Sequence, residues 1–159
     1  MTNKINLTKE ESLREKFFTT TGRINRLTFF RRNVGLIFAE IALILFIQFL
    51  MILGTMSTEL PSWADGFFFG FVILTFIPEY CLNTKRLHDL GKDSTLAKVF
   101  AGIGILSVAY SAANGLFITS EDIPLTPIEI ISSVVIFAFM VYLLFAKGNE
   151  GSNEYGDAN

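Results

Sequence analysis

The chain is 159 residues long, 51% of them hydrophobic and 18% charged, with a mean hydropathy of +0.48 and a net charge of −2. These values exclude a disordered segment and an ordinary water-soluble globule, and the length allows one domain, residues 1–159. A single cysteine, Cys81, and a single histidine, His88, exclude an intramolecular disulfide and a zinc site of the usual ligands, so no metal and no cofactor is expected.

Residues 1–33 form a basic segment carrying Lys4, Lys9, Arg14, Lys16, Arg23, Arg26, Arg31 and Arg32. Thr8 and Glu11 stand in capping-box spacing with Leu7 ahead of them, which predicts a short helix over residues 9–19. Leu13 and Phe17 share a face there, so the helix is read as lying on the membrane surface; a soluble cap is the alternative. A turn follows at Gly22.

Four apolar runs come next, and each reads as a membrane-spanning helix of about 20 residues. The spans are residues 34–55, 64–82, 96–118 and 128–146. Span one is interrupted by Glu40 and Gln48, and span two carries Pro78 and Glu79. At helical rise Glu40 lies roughly 9 Å deep and Glu79 roughly 5 Å, where an ionisable group is costly unless paired. Structural pairing is the favoured reading of both carboxylates; a proton-coupled role is the other.

Span two runs on through Arg86, Leu87, His88, Asp89 and Leu90 with no breaker until Gly91, which suits a helix C-cap. Asp93 or Ser94 then caps span three. On this helix Glu79, Asn83 and Arg86 share a face, and Lys85 and Asp89 are four apart. A polar elbow joining two helices, with Arg86 and Asp89 as internal ties, is favoured over a headgroup or anion site at Arg86 and His88. Small residues at Gly66 and Gly70, and at Ser107, Ser111 and Gly115, mark helix contacts. The tail, residues 147–159, is expected to be extended with little regular structure.

All thirteen Lys and Arg fall on one side of these spans. The positive-inside rule makes that side cytoplasmic, with both termini inside. A cleaved signal peptide is not expected, because the first apolar run is too long for an h-region. Both outer loops, residues 56–63 and 119–127, are too short for an outer domain. No Walker motif, nucleophile elbow or His-Glu-x-x-His is present, so an enzyme is not the favoured class. Basic residues beside a membrane point to topology and anionic lipid rather than nucleic acid.

Three stretches look familiar together. They are Gly22-Arg23-Ile24-Asn25-Arg26 with Phe29-Phe30, the elbow from Lys85 to Ser94, and Gly148 to Gly156 with Asn153 and Tyr155. Across about residues 17–157 the chain resembles the domain of unknown function 805 family of small bacterial inner-membrane proteins. It differs in having Thr28-Phe29-Phe30-Arg31 where an acidic–aromatic pair is usual, and Thr95-Leu96 where Gly and Trp commonly follow the elbow serine. The resemblance implies a bacterial inner-membrane location and one cytoplasmic cluster of Arg23, Arg26, Arg86, His88 and Asp89.

The expected fold is all-α, an integral membrane four-helix bundle, N-in and C-in, with a short N-terminal interfacial helix. The expected function is a non-enzymatic module that binds an anionic lipid or a membrane-protein partner at this cluster, with His88 making it pH-sensitive. The alternative is a small transporter or export factor working as a homo-oligomer with Glu40 and Glu79 on its path.

Overall fold

The computed structural model describes residues 11–55, 64–113 and 126–157. These form five helices: α1 (Leu13–Phe17), α2 (Arg26–Thr55), α3 (Ala64–Asp89), α4 (Thr95–Ala113) and α5 (Pro127–Phe145). Among the described residues there is no strand, only an isolated bridge between Asn153 and Gly156.

Helix boundaries follow local chemistry. α1 is five residues long and is held by a capping box of Ser12 and Glu15, so the described helix starts later than residue 9. Its S-x-x-E signal repeats, four residues on, the spacing of Thr8 and Glu11; Thr8 lies outside the described residues. α2 begins at Arg26, two turns ahead of the apolar run at Val34. The basic segment therefore already contains helix. α5 starts at Thr126, whose side chain and that of Glu129 form a second capping box, with Pro127 at the first helical position. α3 runs through Pro78 and ends in a Schellman motif: Lys92 N–H donates to Leu87 O at 2.9 Å and Gly91 N–H to His88 O at 3.1 Å. Gly91 adopts the positive φ, +68°, that this motif demands.

α3 is the hub, touching all four other helices; α4 packs on α3 and α5, and α2 on α3 and α5. Three helices are long and apolar enough to cross a membrane, α2 over Arg26–Gly54, α4 and α5. None of the most apolar stretch of α2 is buried inside the protein. Phe38, Leu45, Phe46 and Leu53 on α2, and Phe137 and Phe145 on α5, stand more than half exposed. Meanwhile Arg23, Thr84, Lys85, Arg86 and Asp89 are almost fully buried. Apolar outside and charged inside inverts the water-soluble pattern, and the outer surface matches hydrocarbon. The apolar core is small: Ile24, Phe29, Leu82, Leu87, Ala97, Phe139 and Leu143 cluster at the basic end.

The small-residue seams divide. Ser107 Oγ meets Ser132 Oγ at 2.9 Å and the Ser111 hydroxyl donates to Glu129, so that row is an α4–α5 contact. Gly66 and Gly70 face open space inside this chain, and Gly115 lies outside the described residues.

Candidate functional site

The cluster forms where the start of α2, the end of α3, the end of α5 and the tail meet. The Ile24 N–H donates to Lys85 O at 3.3 Å, which lays the segment before α2 along the end of α3. This brings the Arg23 guanidinium beneath Asp89. Its Nη2 donates to Asp89 Oδ1 at 3.1 Å and to Asn149 O at 2.7 Å; its Nη1 donates to Gly151 O at 2.6 Å and Gly156 O at 3.2 Å. Arg86, one turn before Asp89, donates from Nη1 to Asp89 Oδ2, from Nε to Leu143 O at 2.7 Å and from Nη2 to Ala146 O. The last two acceptors are carbonyls at the C-terminus of α5, which have no partner within their own helix and carry its negative dipole end.

Two guanidiniums thus share one carboxylate, and five backbone carbonyls accept five further bonds from them. The side chains of Arg23 and Asp89 are 0% and 6% exposed, so the charges are removed from water and depend on these bonds. Burial pushes the Arg86 guanidinium below its ordinary range, and Asp89 opposes that.

Lys85, four residues before Asp89, turns the other way. Its ammonium donates to Glu15 O and to Lys16 O at 3.3 Å, the C-terminal carbonyls of α1. Burial first, and then the nearby Arg32, hold it below the usual lysine range. Arg32 pairs with Glu11 across the same junction.

His88 Nδ1 lies 3.1 Å from Gly22 O, which fixes that nitrogen as the protonated one, and the ring stacks on Tyr155 at 3.9 Å and 4°. Asn153 Nδ2 donates to His88 O at 2.8 Å, and Asn149 N–H to Asp89 O at 2.8 Å. The tail is therefore irregular, as expected, but folded back on the elbow rather than extended. Gly148 is required by closeness: a Cβ there would lie 2.1 Å from Asp89 Oδ2.

Of the five residues expected together, Arg23, Arg86 and Asp89 form the buried clasp and His88 flanks it. Arg26 stays exposed, lining a surface depression with Arg86, Asp89 and Lys147. The tail carbonyls, Asn149, Asn153 and the α5 terminus are partners that sequence reading missed; the Gly148–Gly156 motif was their only signal.

Glu40 and Glu79 line different pockets. Glu40 sits in an apolar groove between α2 and α3, with Leu36, Leu43, Leu74 and Pro78, and its Oε1 is buried without a hydrogen bond. Glu79 lines a separate recess with Asn33, Tyr80 and Asn83. Neither forms an ion pair among the described residues. No group of His, Cys, Asp and Glu suited to a metal occurs among the described residues.

No curated protein and no solved structure matches the chain. A family profile, "Protein of unknown function (DUF805)", matches residues 17–157, taking in the segment before α2, the elbow and the tail. The chain belongs to the domain of unknown function 805 family.

Proposed function

We propose that the protein is a non-catalytic module of a bacterial inner membrane that binds anionic lipid at its cytoplasmic face. In this reading four helices cross the bilayer as a bundle, both termini are cytoplasmic, and α1 lies in the interface with Leu13 and Phe18 exposed to it. The crossing of α3 is supported by the hydrogen bonds that tie the starting end of α2 to the finishing ends of α3 and α5.

The observation that carries the lipid reading is a division of labour among cations. Arg23, Lys85 and Arg86 are buried and donate to backbone carbonyls and, for the two arginines, to Asp89. Arg26, Arg31 and Lys98 are exposed. Each of these three lies in the first turns of a helix that then becomes apolar and exposed, at headgroup depth. Of the exposed acids, Glu150, Glu154 and Asp157 lie on the tail, Glu11 and Glu15 at α1, and Asp93 just before α4. A basic residue near an anionic leaflet contributes about 1 kcal/mol. Each charge removed should therefore weaken lipid retention roughly five-fold.

The test is native mass spectrometry of the full chain from vesicles of phosphatidylglycerol mixed with phosphatidylcholine. Retained phosphatidylglycerol should drop stepwise in Arg31→Gln and in the Arg31→Gln, Lys98→Gln double variant, with the fold intact. Equal retention of both lipids by the unaltered chain, or a stoichiometric protein in place of lipid, would replace this reading.

A further inference from the structure

The recess beside Glu79 is a second site, independent of the lipid reading. It is a space of ≈ 120 Å³ lined by α2, α3, α4 and α5, on the membrane side of the clasp. Its walls from α4 and α5 are apolar, Phe100 and Phe139 among them. Its polar atoms come from Asn33 on α2 and from Glu79, Tyr80 and Asn83 on α3. Glu79 and Asn83 are one turn apart, so both side chains address the same volume.

One of the two amide N–H groups of Asn33 donates to Phe29 O at 2.9 Å, and its Oδ1 is the acceptor it brings to the recess. Asn83 Oδ1 is buried with no hydrogen-bond partner. Glu79 has no cationic partner among the described residues. A buried acceptor without a partner, as at Asn83 Oδ1, is rare in folded proteins and calls for an occupant. The volume holds roughly four waters at liquid density, or one small ion with some of its shell.

We propose that this recess binds one sodium-sized monovalent cation, with Glu79 supplying the charge and Asn33, Asn83 and Tyr80 the neutral oxygens. The ligand set decides the class. Oxygen donors suit hard cations, and no sulfur or imidazole lines the space for a transition metal. One carboxylate neutralises one positive charge; a divalent ion would leave an unpaired charge in a low-dielectric interior. Water alone would satisfy the amides but would show no preference among salts.

The experiment uses the purified full chain in nanodiscs in choline chloride, titrated with sodium chloride at constant ionic strength. Radioactive sodium binding and the thermal unfolding midpoint are read together. The expected result is saturable binding of one sodium per chain with a matching rise in midpoint. Glu79→Gln should weaken it at least ten-fold, and Asn83→Leu should weaken it too. Glu150→Gln, on the exposed tail, should leave it unchanged. No saturable sodium binding by the unaltered chain, or an equal effect of choline, would overturn the proposal even if the Glu79 variant fails to fold.

Discussion

Lys85 and Arg86 are neighbours in sequence, yet they serve different helices. About 100° of helical turn separates them, so one ammonium reaches the end of α1 while one guanidinium reaches the end of α5. The choice of residue follows the task. Lys85 meets two carbonyls, which a point charge can satisfy. Arg86 must reach Asp89, Leu143 and Ala146 at once, which needs the planar fork. Asp89 is the only carboxylate bonded to either buried guanidinium among the described residues. Asp89→Asn therefore leaves two buried cations without a counter-charge, and should lower unfolding free energy by about 3–5 kcal/mol. Arg86→Lys should not be tolerated as a conservative change. Glu150→Gln is the control, because the Lys147–Glu150 pair is 80% exposed on both sides and should contribute nothing measurable. Denaturant titration of the three variants in one detergent distinguishes them.

At the scale of elements, much was readable and the remainder has a physical reason. Apolar runs mark helices because hydrocarbon leaves the backbone no alternative, so all four long helices could be placed. The stop at Gly91 was readable because only a few residues tolerate that backbone geometry. What local pattern could not show was the docking of the tail. Its partners are backbone carbonyls of Asn149, Gly151 and Gly156, which carry no side-chain signature. Spacing makes both Lys85 and Arg86 helical neighbours of Asp89; the elbow reading ties Arg86 to it, and that pair is the one formed. The elbow and the tail are coupled at Gly91, where an added Cβ would lie 2.6 Å from Asn149 Nδ2. Gly91→Ala combines that clash with a left-handed conformation costing roughly 1–2 kcal/mol. Hydrogen exchange should speed up at the amide of Asn149, which donates to Asp89 O, as well as at Lys92. Gly151→Ala, with nothing within 4 Å of its added Cβ, should leave both amides protected.

For the whole molecule the same bonds bear on topology, by parity. Arg23 precedes α2 and the α5 terminus precedes the tail, yet both are held by the one Asp89–Arg86 pair. Two chain segments tied within a few ångströms share one side of a bilayer. An odd number of crossings between them is then impossible. Composition alone identifies three crossing helices, α2, α4 and α5. In the proposed reading the fourth crossing falls to α3, whose final turn belongs to the same knot and which follows the far end of α2 by eight residues. α3 is the least uniform of the four, with Pro78, Glu79 and Asn83 in its inner half, because it faces the other helices more than lipid. The prediction concerns both ends of the chain at once. Single cysteines introduced as Ser12→Cys and Ser152→Cys, with Cys81 replaced by Ser, should react in intact cells only with a membrane-permeant maleimide. Glu121→Cys, between α4 and α5, should react with an impermeant one. Opposite behaviour of positions 12 and 152 would require three crossings and would break the clasp as the organising contact. Shared protection of both, with labelling at 121, fits a chain that leaves and returns twice and is locked at its cytoplasmic pole by two arginines and one aspartate.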